Sequence, residues 1–278
     1  NEKGCSPESS NEYIKKFIAS PLCQEFLDNK AYTNWKRHRK LKKELTEAGS
    51  ALSQVQKQLK TVKGKPDAEG EDVVFFDLCS GKGLLSILLS KEFPKSLVYM
   101  IDTDEKMNLE HLSECPNVTM QYLDVYKEFE RLKLTAREHT EKGKCIVVVG
   151  IHLCGELALK AIHLWRDVLE TSGGRASIIL SPCCLPRRAR QDVFGFFVRN
   201  QSKQMGIASY QMWCSHLYFE MKRSEKRVSM VQDDSCCSDK NTFLTASCLE
   251  GPTGWLQTHA SASIQPSRRT MNKWIVTR

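Results

Sequence analysis

The 278-residue chain has no apolar run of about 18 residues, the length a helix needs to cross a bilayer, so no transmembrane helix is expected. Its opening residues, NEKGCSPESSNEY, are polar, and they lack the apolar centre of a secretory signal. The first residue is not Met, which leaves room for an upstream segment. No internal repeat is visible, which sets aside solenoids and propellers. There is no need of disulfide staples either: a chain of this length buries a core without them, so the 12 cysteines read as thiols of a reducing compartment, cytoplasm or nucleus. Neither sign of charge dominates. The 41 Lys and Arg exceed the 33 Asp and Glu by 8, a mild basic bias that suits an anionic partner such as RNA. Nothing points to a membrane or to an obligate protein partner.

The chain divides by texture. Residues 1–70 read as a basic helical extension with a linker, GKPDAEGED, at 64–72. Tyr13, Ile14, Phe17 and Ile18 recur at helical spacing, and Ser20-Pro21 marks the start of a second helix. The run KRHRKLKK occupies 36–43, with Trp35 beside it. Over residues 71–250 apolar β-forming runs alternate with helical stretches. VVFFDL (73–78), LVYMID (97–102), VTMQYLDV (118–125), CIVVVGIHL (145–153) and ASIILS (176–181) predict five strands. Helices are expected at 84–93, 105–114, 126–140, 156–170, 187–201 and 207–222, and final strands at 226–231 and 242–248. This alternation predicts an α/β fold: a mostly parallel, seven-stranded, Rossmann-like sheet with helices on both faces. The tail, 251–278, is rich in Gly, Ser and Thr and reads as irregular.

The segment FFDLCSGKGLLS sets a tight loop between a strand and a helix. Gly81 and Gly83 permit a sharp turn and a close approach of ligand to main chain. Ser86 stands where a dinucleotide fingerprint has its third glycine, which disfavours an NAD-dependent oxidoreductase. A phosphate-binding P-loop fails, because Gly83 follows Lys82 where Ser or Thr is required. The second strand ends in Asp102, where a carboxylate can accept ribose hydroxyls, and the third leads to Asp124. Each such Asp alone is more often a cap or turn residue.

The loop resembles the acid-plus-glycines motif of class I methyltransferases, with Asp77 as the acid and Cys79, Gly81 and Gly83 at the small positions. Cys79 departs from the usual glycine. From Val73 to about Cys248 the chain resembles a eukaryotic branch of that class, on the motifs DLCSGKG (77–83), IHLCG (151–155), SPCC (181–184) and CSDKN (237–241). That branch includes the methyltransferase domain of the glutathione S-transferase C-terminal domain-containing protein and, more distantly, eukaryotic tRNA 2'-O-methyltransferases. The resemblance implies the fold and S-adenosyl-L-methionine as cofactor, held by Asp77, Cys79, Gly81, Gly83, Asp102 and Asp124. It leaves the substrate open.

His152, Cys154, Cys183 and Cys184 fall at the ends of the fourth and fifth strands, where open α/β sheets place their chemistry. His152, Cys154 and Cys183 are the expected catalytic residues. Imidazole can act as a base or orient a substrate. A thiolate attack on a pyrimidine, zinc binding by the cluster, and plain packing are the competing readings. Adjacent cysteines chelate poorly compared with C-x-x-C, so no metal is assigned. Lys36 and Arg37 in the first basic run, and Arg187 and Arg188 after SPCCLP, are expected to contact substrate. Trp35 would either stack on a base or pack in the core. The expected function is methyl transfer, with RNA, a tRNA-like one included, ahead of protein or a small molecule as substrate. The alternative is a protein that has kept the fold as a binding module and lost catalysis.

Overall fold

The computed structural model describes residues 11–62, 66–185, 198–223 and 227–247. The seven strands are β1 (Val73–Leu78), β2 (Leu97–Asp102), β3 (Val118–Tyr122), β4 (Cys145–Leu153), β5 (Ala176–Pro182), β6 (Arg227–Gln232) and β7 (Thr242–Ser247). They form one sheet in the order β3-β2-β1-β4-β5-β7-β6. The first five run parallel, while β7 pairs antiparallel with both β5 and β6. Strand order reverses between β1 and β4, so a crevice opens beyond their C-terminal ends.

Every residue of β1 is buried, because both faces of the sheet are covered. Val74, Phe76 and Leu78 pack with α6 (Phe129–Glu141), α7 (Leu157–Thr171), α8 (Val198–Met205) and α9 (Ser209–Lys222). Val73 and Phe75 face the opposite way, toward α4 (Leu41–Leu59) and α5 (Leu84–Glu92). The short helices α1 (Glu12–Ile18), α2 (Pro21–Asp28) and α3 (Thr33–Lys36) complete that second layer. The N-terminal helices therefore share a core with the sheet. Leu45, Ala48, Ala51 and Val55 supply the apolar stripe of α4 at helical spacing. Gln58 and Thr61 extend the contact by bonding Thr245 and Ser247 of β7.

Local chemistry explains the boundaries. Asn11 caps α1 by accepting from the Tyr13 and Ile14 amides, and Pro21 occupies the first turn of α2. The helix expected over 105–114 is only a 3-10 turn at Glu110–Glu114. Asp104 and Asn108 accept from the amides of Lys106 and Glu110, two residues on, and those turns displace a helix. KRHRKLKK is likewise not one helical face: α3 stops at Lys36 and α4 starts at Leu41, so residues 37–40 form a corner. Trp35 is only 1% exposed, so it is a core residue and cannot stack on a base. The first part of the helix expected over 187–201, Arg187 and Arg188 among it, and the tail at 251–278 lie outside the described residues.

Candidate functional site

The loop after β1 carries the backbone its glycines require, and one residue more. Cys79 (φ 56°), Gly81 (φ 55°) and Gly83 (φ 77°) all lie in the left-handed region. Cys79 thus adopts a conformation for which glycine is the usual solution. A side chain at Gly81 would meet nothing within 4 Å, so the loop faces open space there. A side chain at Gly83 would run into Met100 of β2, so that glycine serves packing. The Gly81 amide donates to Asp102 Oδ2 (3.0 Å), and Asp102 Oδ1 accepts from the Thr103 and Asp104 amides. Asp102 therefore shapes the loop and stands at the crevice mouth in one act.

Asp77 is buried beneath the loop and accepts from Ser86 Oγ (2.7 Å). Burial pushes its carboxyl up to about 7, the Ser86 bond opposes this, and the charge on Asp102 adds to it. Asp124 forms a turn, accepting from the Tyr126 and Lys127 amides, and those bonds hold its carboxyl below the usual range. Tyr126, an exposed ring that the sequence pattern did not single out, donates its amide to Asp124, and partial burial, then the nearby Glu156, push its hydroxyl above the usual value.

His152 sits at an irregularity. Ile151 pairs with Ser181 and Leu153 with the next residue, Pro182, so His152 is an extra residue in β4. Its φ of 61° is also left-handed. This bulge turns the imidazole toward α4: Nε2 lies 2.7 Å from Oε1 of Glu47 and 3.4 Å from Lys43 Nζ. Lys43 Nζ is itself 2.8 Å from the same Glu47 oxygen. Glu47 is buried, and its bonds to His152, Lys43 and Ser238 overcome burial to hold its carboxyl below the usual range. Nε2 thus faces a carboxylate that can accept from it and an ammonium that can only donate to it, so the ring is held at this nitrogen whichever tautomer it takes. No described residue hydrogen-bonds to Nδ1. Glu47 is a site residue that sequence reasoning missed; its one signal was a carboxylate on the apolar stripe of α4, between Leu45 and Ala48.

The three cysteines do meet. Cys154 and Cys183 place their sulfurs 3.1 Å apart, and Cys183 and Cys184 theirs 3.4 Å apart. Cys183 also donates to the main-chain carbonyl of His152 (3.1 Å). The His152 ring is engaged with Glu47 and stands apart from the thiols. Burial, then the neighbouring thiols, push the Cys183 thiol far up, so it is a poor thiolate at neutral pH.

The basic corner lies close by. A cavity of about 470 Å³ is lined by Asn34, Arg37, His38, Arg39, Lys40 and Glu44, and by Lys82 of the glycine loop. The Lys82 carbonyl accepts from His111 Nε2 (2.8 Å), and the His111 ring packs against Trp35 and Tyr32. The corner and the loop are thus joined through His111. Lys36 is turned away, donating to the carbonyls of Leu27 and Asn29 at the end of α2.

A family model described as a methyltransferase domain matches residues 43–190. The chain belongs to this methyltransferase domain family. The matched region begins inside α4, so it takes in Glu47 as well as the glycine loop and the strand-end cluster. Among solved structures, the methyltransferase chain is similar to Aeropyrum pernix fibrillarin with natively bound S-adenosyl-L-methionine (12% identity, 69% of this chain and 74% of that one, TM-score 0.43). It is also similar to an rRNA methylase from Streptococcus thermophilus (12%, 71% and 95%, 0.38). Human N-acetylserotonin methyltransferase in complex with S-adenosylmethionine is a further case (14%, 86% and 62%, 0.36). No curated protein matches the sequence.

S-adenosylmethionine is the cofactor that family and fold imply, and the loop fits it. The open space over Gly81 leaves room for a ligand against the main chain, and the Asp102 carboxylate stands at the end of the adjacent strand. No described helix is long and apolar enough to cross a membrane.

Proposed function

We propose that this protein is an S-adenosylmethionine-dependent methyltransferase acting on RNA. The observation that carries the reading is the basic cavity: Arg37, Arg39 and Lys40 share it with Lys82 of the cofactor loop. A phosphate backbone held there runs beside the crevice where the methyl group is delivered. Glu44 is the one acid in its lining, and it is paired with His38. The excess of 41 Lys and Arg over 33 Asp and Glu favours the same class of substrate.

The bound cofactor supplies an electrophilic methyl group. The chain's residues bind and orient. Gly81 and Cys79 leave the loop open to the cofactor, and Asp102, placed by the Gly81 amide, offers its free lone pairs to hydroxyls. His152, held at Nε2 by Glu47 and Lys43, presents Nδ1 as the ring nitrogen that aligns the attacking group. Cys154 and Cys183 bring their sulfurs together at the C-terminal ends of β4 and β5.

The test is incubation of the purified chain with radiolabelled S-adenosylmethionine and total RNA. Nuclease-sensitive label that is lost in an Arg37→Ala/Arg39→Ala/Lys40→Ala variant supports the proposal. Label that enters only protein or small molecules overturns RNA as the substrate.

A further inference from the structure

The sulfurs of Cys154, Cys183 and Cys184 all lie within 4.8 Å of one another. Zinc–sulfur bonds of about 2.3 Å in tetrahedral geometry require sulfur–sulfur separations of about 3.8 Å. The observed contacts of 3.1 and 3.4 Å lie a few tenths of an ångström inside that value, so a small opening of the cluster would seat the ion. A vicinal pair alone chelates poorly, which is the reason sequence reasoning assigned no metal. The fold changes the ligand count: β4 and β5 are hydrogen-bonded neighbours, and Cys154 beyond the end of β4 completes a set of three. The Gly155 amide donates to the Cys184 carbonyl (3.0 Å) and ties the two strand ends together.

We infer that Cys154, Cys183 and Cys184 form a zinc site with three thiolate ligands and a fourth position open to the crevice. Three sulfurs match the preference of zinc for thiolates. Cys154 and Cys184 are exposed, so the remaining coordination position faces solvent, as in zinc sites that take water or a substrate atom. Binding releases the three thiol protons to solvent and leaves a site of net charge −1 when water fills the fourth position. The proton that Cys183 now shares with the His152 carbonyl is one of the three. His152 is not counted as a ligand, because the close group of ligand atoms holds the three sulfurs and neither of its ring nitrogens. The inference does not depend on RNA being the substrate.

The experiment uses the purified chain, reduced with a phosphine, stripped with a chelator and titrated with zinc chloride against a chromophoric chelator. One equivalent should bind. Cys154→Ser and Cys184→Ser should each weaken it by about tenfold or more, whereas Cys23→Ser on α2, far from the cluster in sequence, should change nothing. Cobalt(II) gives a second readout: sulfur-to-cobalt charge-transfer absorption should fall by about one third in Cys154→Ser, as one of three thiolates is lost. Less than one equivalent in the reduced wild-type chain overturns the site. So does binding that survives unchanged in both serine variants, provided their circular dichroism matches wild type.

Discussion

Nε2 of His152 lies 2.7 Å from Oε1 of Glu47, joining the end of β4 to a helix that precedes the sheet by more than a turn of chain. The contact depends on the bulge at His152, which aims the ring at α4. Glu47→Gln keeps the shape and removes the charge that holds the His152 ring. It should lower kcat for methyl transfer by about 10- to 100-fold and leave the Kd for cofactor unchanged. An unchanged kcat in the folded variant would remove His152 orientation from the mechanism.

The two glycines of the loop should fail in different ways. Gly83→Val adds to the left-handed strain a displacement of the buried Met100 side-chain end, so a Tm lower than that of Gly81→Val is expected. Gly81→Val meets no protein atom, so it should cost only backbone strain, about 1–2 kcal/mol, while abolishing cofactor binding. Calorimetry and thermal melting separate the two. Equal loss of stability in both variants would contradict this division.

Asp77 should make stability depend on pH. In the folded chain its carboxyl is pushed up to about 7, chiefly by burial, from an ordinary value of 3.8. The folded state then binds a proton more tightly than the unfolded chain between about pH 4 and 7. This contribution is full below pH 4 and is lost as pH rises through 7. A shift of that size corresponds to about 4 kcal/mol. Asp77→Asn should flatten that part of the denaturation profile between about pH 4 and 7; an identical profile in wild type and variant would show that Asp77 is not strained by burial.

The strands, the sheet and the glycine loop were legible in the sequence because they are local. A buried parallel strand such as β1 is an apolar run, and a loop that needs left-handed residues spends glycines. The absence of a helix over 105–114 was less visible, since Asp104 and Asn108 act through turns that leave no hydrophobic period. Glu47 and Lys43 could not be placed from sequence, because their partner His152 is more than 100 residues away and is presented by a bulge. The same holds for the meeting of the basic corner with Lys82 through His111. Cys79 was visible as a departure from glycine, and its φ of 56° gives that departure its physical meaning.

The basic corner should carry a measurable share of RNA affinity. Arg37, Arg39 and Lys40 line the cavity beside Lys82, while Lys36 is spent on the end of α2. Each neutralisation among the first three should reduce the slope of log affinity against log salt by about 0.7 for single-stranded RNA. Lys36→Ala should lower the Tm and leave that slope unaltered. A slope that responds to Lys36 and not to the other three would move the RNA path elsewhere.

The central claim is that the crevice over the glycine loop holds S-adenosylmethionine. Isothermal titration of the purified chain with S-adenosylmethionine, S-adenosylhomocysteine and NAD tests it most directly. One site per chain is expected, shared by the first two ligands and closed to NAD. Asp102→Ala should weaken that site by about 1–3 kcal/mol through lost hydrogen bonds to a charged acceptor. Binding of NAD, or no binding of either S-adenosyl compound by the folded protein, would contradict it.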